Sequence, residues 1–304
     1  MHKRLVAVGK WTWVACVAVA AGWIVWRSRA DIVRMFEHIP WWMLLASLAL
    51  TLLAKMFLGE NARIAAKRSG ILLDYATATR LYNFSQLGKY LPGSIWQFVG
   101  RAATYRNLGG SYAQIRDSLL TESLWIIGGA AVTALVLCGT SIIPVIRGSL
   151  TPLMRNWLLG AAMVAAVAGV ILFVVRRQAL LKYLRSAVPT PRAVLVQAAI
   201  WISLGGSFWV LVRACGMEAG LPFAIGLFAA GYAVGFLVPF APAGLGIRDG
   251  ILTLGLLPFA GAGEAIAVTI MARLIYLVAE LLLVVAQEPL RATLVRLGRS
   301  AQPR

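Results

Sequence analysis

Apolar residues run along this chain in blocks too long and too uniform to be the buried stripes of soluble helices, and short polar stretches separate them. Six blocks, near 6–26, 40–58, 118–138, 157–175, 194–215 and 265–286, are long enough to cross about 30 Å of hydrocarbon as helices. Two further apolar segments, near 80–100 and 222–257, are broken by Gly and Pro. A break at membrane depth frees backbone groups that lipid cannot satisfy, so it has to line protein or a wet cavity. The pattern predicts an all-α polytopic membrane protein with about six transmembrane helices plus two re-entrant, broken helical hairpins. An alternative of eight transmembrane helices follows if 222–240 is a complete span and a short helix returns at 251–259.

The first block follows Met1-His2-Lys3-Arg4 and imitates a secretory signal as far as Ala18-Val19-Ala20. Its apolar run continues to Trp26, so it reads as an uncleaved span. Alternating the loops between the two sides then places twenty of the 29 Lys and Arg on the side of the N-terminus and seven on the other, with Lys55 and Arg273 inside spans. By the excess of basic residues in cytoplasmic loops, both termini face the cytoplasm of a bacterial-type cell (inner) membrane. Each set of three spans carries a broken segment between its second and third members, and the second set starts on the opposite face. The expected organisation is one membrane domain, 1–304, built as an inverted repeat of 1–140 and 150–290, with a short basic tail at 291–304. In such folds two hairpins entering from opposite sides meet near the midplane and form the substrate site.

Composition agrees with lipid as the solvent: 60% of residues are hydrophobic, 13% are charged and the mean hydropathy is +0.80. The net charge of +18 is accounted for by loops beside anionic headgroups, and no nucleic-acid partner is expected. Cys16, Cys138 and Cys215 are widely spaced in apolar runs and imply no disulfide framework. With His2 and His38 as the only histidines, zinc ligation and histidine catalysis lack material, and neither a metal nor a cofactor is expected.

The candidate chemistry lies in the broken segments. Pro92-Gly93 interrupts the first, and Pro239 with Pro242-Ala243-Gly244-Leu245-Gly246 interrupts the second. Arg101 and Arg248 follow these breaks at equal spacing, and a guanidinium matches phosphate oxygens in bidentate fashion. Such a pair could grip a headgroup phosphate, or each arginine could instead snorkel to the interface. Lys89, Asn83, Ser85, Gln86, Ser94 and Gln97 make the first hairpin more hydrophilic than a lipid-facing helix needs. Glu122 and Glu280 are the acidic residues expected inside spans. Glu280 shares a helical face with Arg273 and Tyr276. These carboxylates are candidate partners for the hairpin arginines, candidate proton carriers, or halves of static ion pairs.

These residues resemble the family named for the transmembrane region of lysylphosphatidylglycerol synthase, over roughly residues 45–287. The family's first-hairpin Pro-Gly and later Arg are matched by Pro92, Gly93 and Arg101, and the Glu opening the next span by Glu122. Its second hairpin, Pro-Gly-Gly-x-Gly-x-Arg-Glu, is matched by Pro242, Gly244, Gly246 and Arg248, with Ala243 for Gly and Asp249 for Glu. Arg273 matches an arginine that begins the last span. Ser94 to Val99 lacks the Gly-Glu often found after the Pro-Gly. The resemblance implies movement of a membrane lipid or a polyprenyl-linked glycan between leaflets, with anionic phospholipid headgroups as partners. The soluble aminoacyl transferase domain of the fused members has no counterpart after the last span, so the chain is not expected to aminoacylate lipid by itself. Two alternatives remain: a membrane-embedded transferase acting on lipid headgroups or an accessory to a lipid- or glycan-modifying enzyme, and a small-solute transporter or structural component. The charge asymmetry predicts an even number of complete spans and a cytoplasmic C-terminus. A C-terminal alkaline phosphatase fusion should therefore be inactive, and periplasmic activity would remove the inverted repeat.

Overall fold

A computed structural model of the chain describes Trp26 and residues 39–90, 95–149, 188–238 and 244–300, with residues 140–149 and 287–300 described by their backbone. The spans expected at 6–26 and 157–175, and the hairpin tips carrying Pro92, Gly93, Pro239 and Pro242, lie outside the described residues. Among those residues all regular structure is helical: α1 (Trp41–Arg68), α2 (Tyr75–Gln86), a 3-10 turn (Leu87–Tyr90), α3 (Trp96–Asn107), α4 (Tyr112–Ser149), α5 (Pro191–Ala214), α6 (Leu221–Leu237), α7 (Ile247–Leu256) and α8 (Ala262–Ser300). Four stretches, Trp41–Arg68, Tyr112–Gly139, Pro191–Ala214 and Ala262–Ala286, are long and apolar enough to cross a membrane. They coincide with four of the six expected blocks. The chain is a polytopic all-α membrane protein.

Burial runs opposite to that of a soluble helix. On α1 the inward stripe contains Ser47, Thr51, Lys55 and Asn61, all buried, while Leu45, Leu53 and the paired Trp41 and Trp42 are exposed. Lipid solvates the apolar side chains, and an exposed Trp pair at a helix end suits the headgroup interface. The inward polar groups find partners on neighbouring helices, which lets α1 continue to Arg68, ten residues beyond the apolar block at 40–58.

Both broken segments are helical hairpins. α6 has 17 residues, about 25 Å at 1.5 Å per residue, which falls short of a full crossing of about 30 Å. α7 starts at Ile247, earlier than the returning helix expected at 251, and packs antiparallel on α6. Glycine permits this contact: a Cβ on Gly235 would lie 3.1 Å from Arg248 Cβ, one on Gly231 3.3 Å from Leu252, and one on Gly255 2.3 Å from Leu227. In the first segment α2 and α3 have 12 residues each, and Gly88 brings the 3-10 turn against the start of α3, where an added Cβ would meet Gln97 N at 2.7 Å. Asp74, exposed before α2, caps it by accepting from Thr77 N at 2.9 Å, and those hydrogen bonds hold its carboxyl below the usual range.

α1 and α5 pack antiparallel through polar contacts, Ser47 Oγ with Ser207 Oγ at one end and Gln197 Nε2 donating to Asn61 Oδ1 at the other, each at 2.8 Å. The set α1–α4 therefore begins with a helix opposed to that of α5–α8. Neighbour relations follow the same exchange. α1 touches α2 and α4 as α5 touches α6 and α8; α3 touches α4 as α7 touches α8; and α8 meets α2 as α4 meets α6. In each set a glycine of the long helix receives the first hairpin arm at backbone distance, Gly59 against Thr79 Cα and Gly205 against Ile225 Cα. The basic residues expected as a tail at 291–304 continue the α8 helix as far as Ser300.

Gly205 and Gly206 give a sharp test of this packing. A Cβ on Gly205 would sit 2.4 Å from Ile225 Cα, whereas one on Gly206 meets only Leu50 Cδ1, at 3.7 Å. Gly205→Ala should destabilise the purified protein by about 1–3 kcal/mol, and Gly206→Ala should be neutral or stabilising. Thermal unfolding in detergent would compare them, and equal stability of the two variants would contradict the α5–α6 contact.

Candidate functional site

The two hairpins, α1 and α8 converge on Glu280 and Tyr276. These residues stand one turn apart on α8, on one helical face. Lys55 Nζ, from α1, and Lys89 Nζ, from the 3-10 turn, both donate to Glu280 Oε1, and Tyr90 OH donates to Oε2 at 2.8 Å. Lys55 and Glu280 are completely buried and Lys89 nearly so. Lys55 Nζ lies 3.5 Å, Lys89 Nζ 4.5 Å and Arg248 Cζ 5.2 Å from the centroid of the Tyr276 ring. Three cations thus surround one aromatic ring, and two of them, Lys55 and Lys89, share one carboxylate. Arg248 is half-buried, rests 4.5 Å from the Phe228 centroid and 6.0 Å from that of Tyr232, and has no ion-pair partner among the described residues. Cation–π attraction favours such positions without neutralising the charge.

Local backbone chemistry delivers Arg248 to this place. Gly244 and Gly246 adopt φ of +69° and +83°, in the left-handed region that other residues resist, and they turn the chain into α7. Asp249 then accepts from Gly246 N at 3.0 Å and takes Arg273 in a fork, with Nη2 at 2.7 and 2.9 Å from its two oxygens and Nε at 3.1 Å. The carboxylate that stands for the family's Glu ties the hairpin to α8. Arg273 lies well inside α8 instead of beginning it, because the helix starts at Ala262.

Arg101 occupies a different setting. One of its guanidinium nitrogens meets both oxygens of Glu122 at 2.5 Å, its Nε reaches Gln97 O at 3.4 Å, and the Tyr82 and Phe98 rings flank it. It is only 1% exposed and its partner 2%. This is a closed, neutral pair between α3 and α4, so the structure brings Lys89 and Arg248 together where the sequence pairs Arg101 with Arg248. Of the expected site residues, Lys89, Arg248 and Glu280 meet, Asp249 and Arg273 brace them, and Gly244 and Gly246 shape the turn. Pro92, Gly93 and Pro242 lie outside the described residues.

Sequence reasoning gave no role to Lys55, Tyr90 or the close-approach glycines Gly88 and Gly235. Lys55 carried a usable signal, since a lysine in the middle of an apolar block is costly and has to be paired. Of the polar residues expected to line the first hairpin, Asn83, Ser85, Gln86, Lys89 and Gln97 are buried, and Ser94 lies outside the described residues. Asn83 Oδ1 and Nδ2, Thr79 Oγ1 and Asn61 Nδ2 have no hydrogen-bond partner among the described residues. Buried polar atoms in a membrane protein call for water or ligand.

A family model described as Lysylphosphatidylglycerol synthase TM region matches residues 12–283, which starts earlier than the resemblance at 45–287 and ends four residues sooner. No curated protein matches the chain.

The closed pair makes a stability prediction. Removing one partner of a buried ion pair typically costs about 3–5 kcal/mol, because the other charge is stranded. Arg101→Met or Glu122→Leu alone should cost about that much, and the double variant should recover most of it. Unfolding midpoints of the purified proteins measure the effect, and a single variant as stable as wild type would contradict the pairing.

Proposed function

Because the chain belongs to the lysylphosphatidylglycerol synthase transmembrane-region family, we propose that it translocates an anionic lipid or a lipid-linked glycan between leaflets, holding the headgroup phosphate between its two hairpins. The convergence of Lys89 and Arg248, one from each hairpin, on the Tyr276 ring carries this reading. Arg248 supplies a planar fork for phosphate oxygens, and Lys89, with three ammonium donors of which Glu280 takes one, supplies a second cation. Tyr90 OH, bonded to Glu280, adds a hydroxyl beside the same carboxylate.

The exchange symmetry of the neighbour relations supports an inverted repeat, 1–140 against 150–290, in which rocking of one half against the other opens a midplane site to each side alternately. Glycine-lined contacts within each hairpin favour motion of the hairpins as units. The unpaired polar atoms of Asn83, Thr79 and Asn61 support a hydrated path for the headgroup along the seam between α1 and α2. On this reading both termini are cytoplasmic and the membrane is the inner membrane.

Translocation of a fluorescent anionic lipid in reconstituted vesicles tests the proposal, with protein amounts matched. Arg248→Ala should lower the rate by about tenfold or more, the scale of one charged hydrogen-bonded contact. Arg248→Lys should lower it partially, since the charge remains and the fork is lost. A wild-type rate in Arg248→Ala would leave the phosphate site without support.

A further inference from the structure

The charge balance of the site is unequal. Lys55, Lys89 and Arg248 bring three positive charges to the Tyr276 ring, and Glu280 brings one negative charge. The neighbouring Arg273–Asp249 and Arg101–Glu122 pairs are each closed and neutral. Among the residues whose side chains are described, no other acidic group makes up the difference. Of the 11 in the chain, Glu60 is bound by Arg63 and Arg192, Asp74 and Glu264 cap helices, Asp117 pairs with Arg116, and Glu218 stands in the loop between α5 and α6. Asp31, Glu37 and Glu288 fall outside the residues whose side chains are described, and the hairpin tips at 91–94 and 239–243 contain no Asp or Glu.

A site with two more cations than anions discriminates by ligand charge. A phosphodiester headgroup carries a single negative charge and would leave one buried cation uncompensated, a state that low-dielectric surroundings penalise heavily. A phosphomonoester carries about two negative charges near neutral pH, and a diphosphate joining a lipid to a sugar carries the same. Resting on the translocase reading, we propose that the Lys55–Lys89–Arg248 cluster selects a lipid whose phosphate moiety is doubly charged, a phosphomonoester or a diphosphate linkage, over singly charged phosphodiester lipids. The geometry suits this division. Glu280 engages both lysines at one oxygen; Lys55 is completely buried and Lys89 nearly so, and the half-buried Arg248 is the most accessible of the three cations.

The experiment measures dissociation constants by microscale thermophoresis for the full chain in phosphatidylcholine nanodiscs. The probes are dioctanoyl phosphatidic acid, farnesyl-diphospho-N-acetylglucosamine and dioctanoyl phosphatidylglycerol. At neutral pH at least one doubly charged probe should bind about tenfold or more tightly than phosphatidylglycerol, and which one does so distinguishes monoester from diphosphate. Lys89→Met should bring that ratio close to unity, and Arg248→Gln provides the same charge reduction from the other hairpin. Phosphatidylglycerol binding as tightly as both doubly charged probes would overturn the charge selection and leave the translocase reading standing. Binding of none of the three would overturn both.

Discussion

Lipid leaves no room for an unaccompanied charge, and the architecture follows from how this chain meets that condition. Lys55 on α1 and Lys89 on the 3-10 turn are both carried to depths where a lone ammonium would be intolerable, and both are led to Glu280 on α8. That single carboxylate on α8 joins α1 and the first hairpin, which lie much earlier in the chain: Lys55 is 225 and Lys89 191 residues from Glu280. Because one anion cannot neutralise two cations, the same contact that ties the helices together leaves positive charge in the interior. The contact that holds the helices together is thus also the source of the positive charge at the centre. Tyr276 extends the arrangement to Arg248, so the second hairpin is attached to the same centre through its guanidinium.

Close packing supplies what electrostatics cannot. Hydrophobic burial gives little drive between helices already in lipid, so contact depends on small residues that let backbones meet and on polar bonds between them. Gly59, Gly205, Gly231 and Gly235 provide the first, and the Ser47–Thr51–Ser207 and Asn61–Gln197 groups provide the second. Gly235 links this packing to the site, since a side chain there would press on the Cβ of Arg248.

Long apolar blocks made the spans readable in the sequence, because hydrocarbon thickness imposes a length that few other structures require. The hairpins were readable from Pro and Gly, and the clustering of Arg248, Asp249 and Arg273 from their place in and beside a motif. Partner choice was not. Nothing in the spacing of Lys55 shows that it meets Glu280, or that Arg101 is enclosed by Glu122, because those contacts depend on how helices rotate against each other. Equal spacing after the breaks made Arg101 and Arg248 look equivalent, while tertiary packing gave one a carboxylate and the other only aromatic rings. Helix lengths were underestimated for a related reason: α1 persists through Glu60 and Asn61, whose carboxylate and carbonyl oxygens accept from Arg192 and Gln197 of α5, and composition alone reads them as a loop.

A difference between the two hairpins explains why Arg248 adds to the charge left by the two lysines. In the first half, the arginine of the second hairpin arm pairs with a carboxylate on the following helix, Arg101 with Glu122. In the second half the corresponding pair has its signs reversed, with Asp249 on the arm and Arg273 on the following helix. Reversal matters because Arg248 stands next to Asp249 and would otherwise claim it. With Asp249 turned to Arg273 and Gly246 N, the adjacent guanidinium is left to the faces of Phe228, Tyr232 and Tyr276. With the same arginine-on-arm pairing at both hairpins, Arg248 would be neutralised and only the charge of Lys55 and Lys89 over Glu280 would remain. This chain adds to that positive charge through the one reversed ion pair, and places the excess where the two hairpins come together.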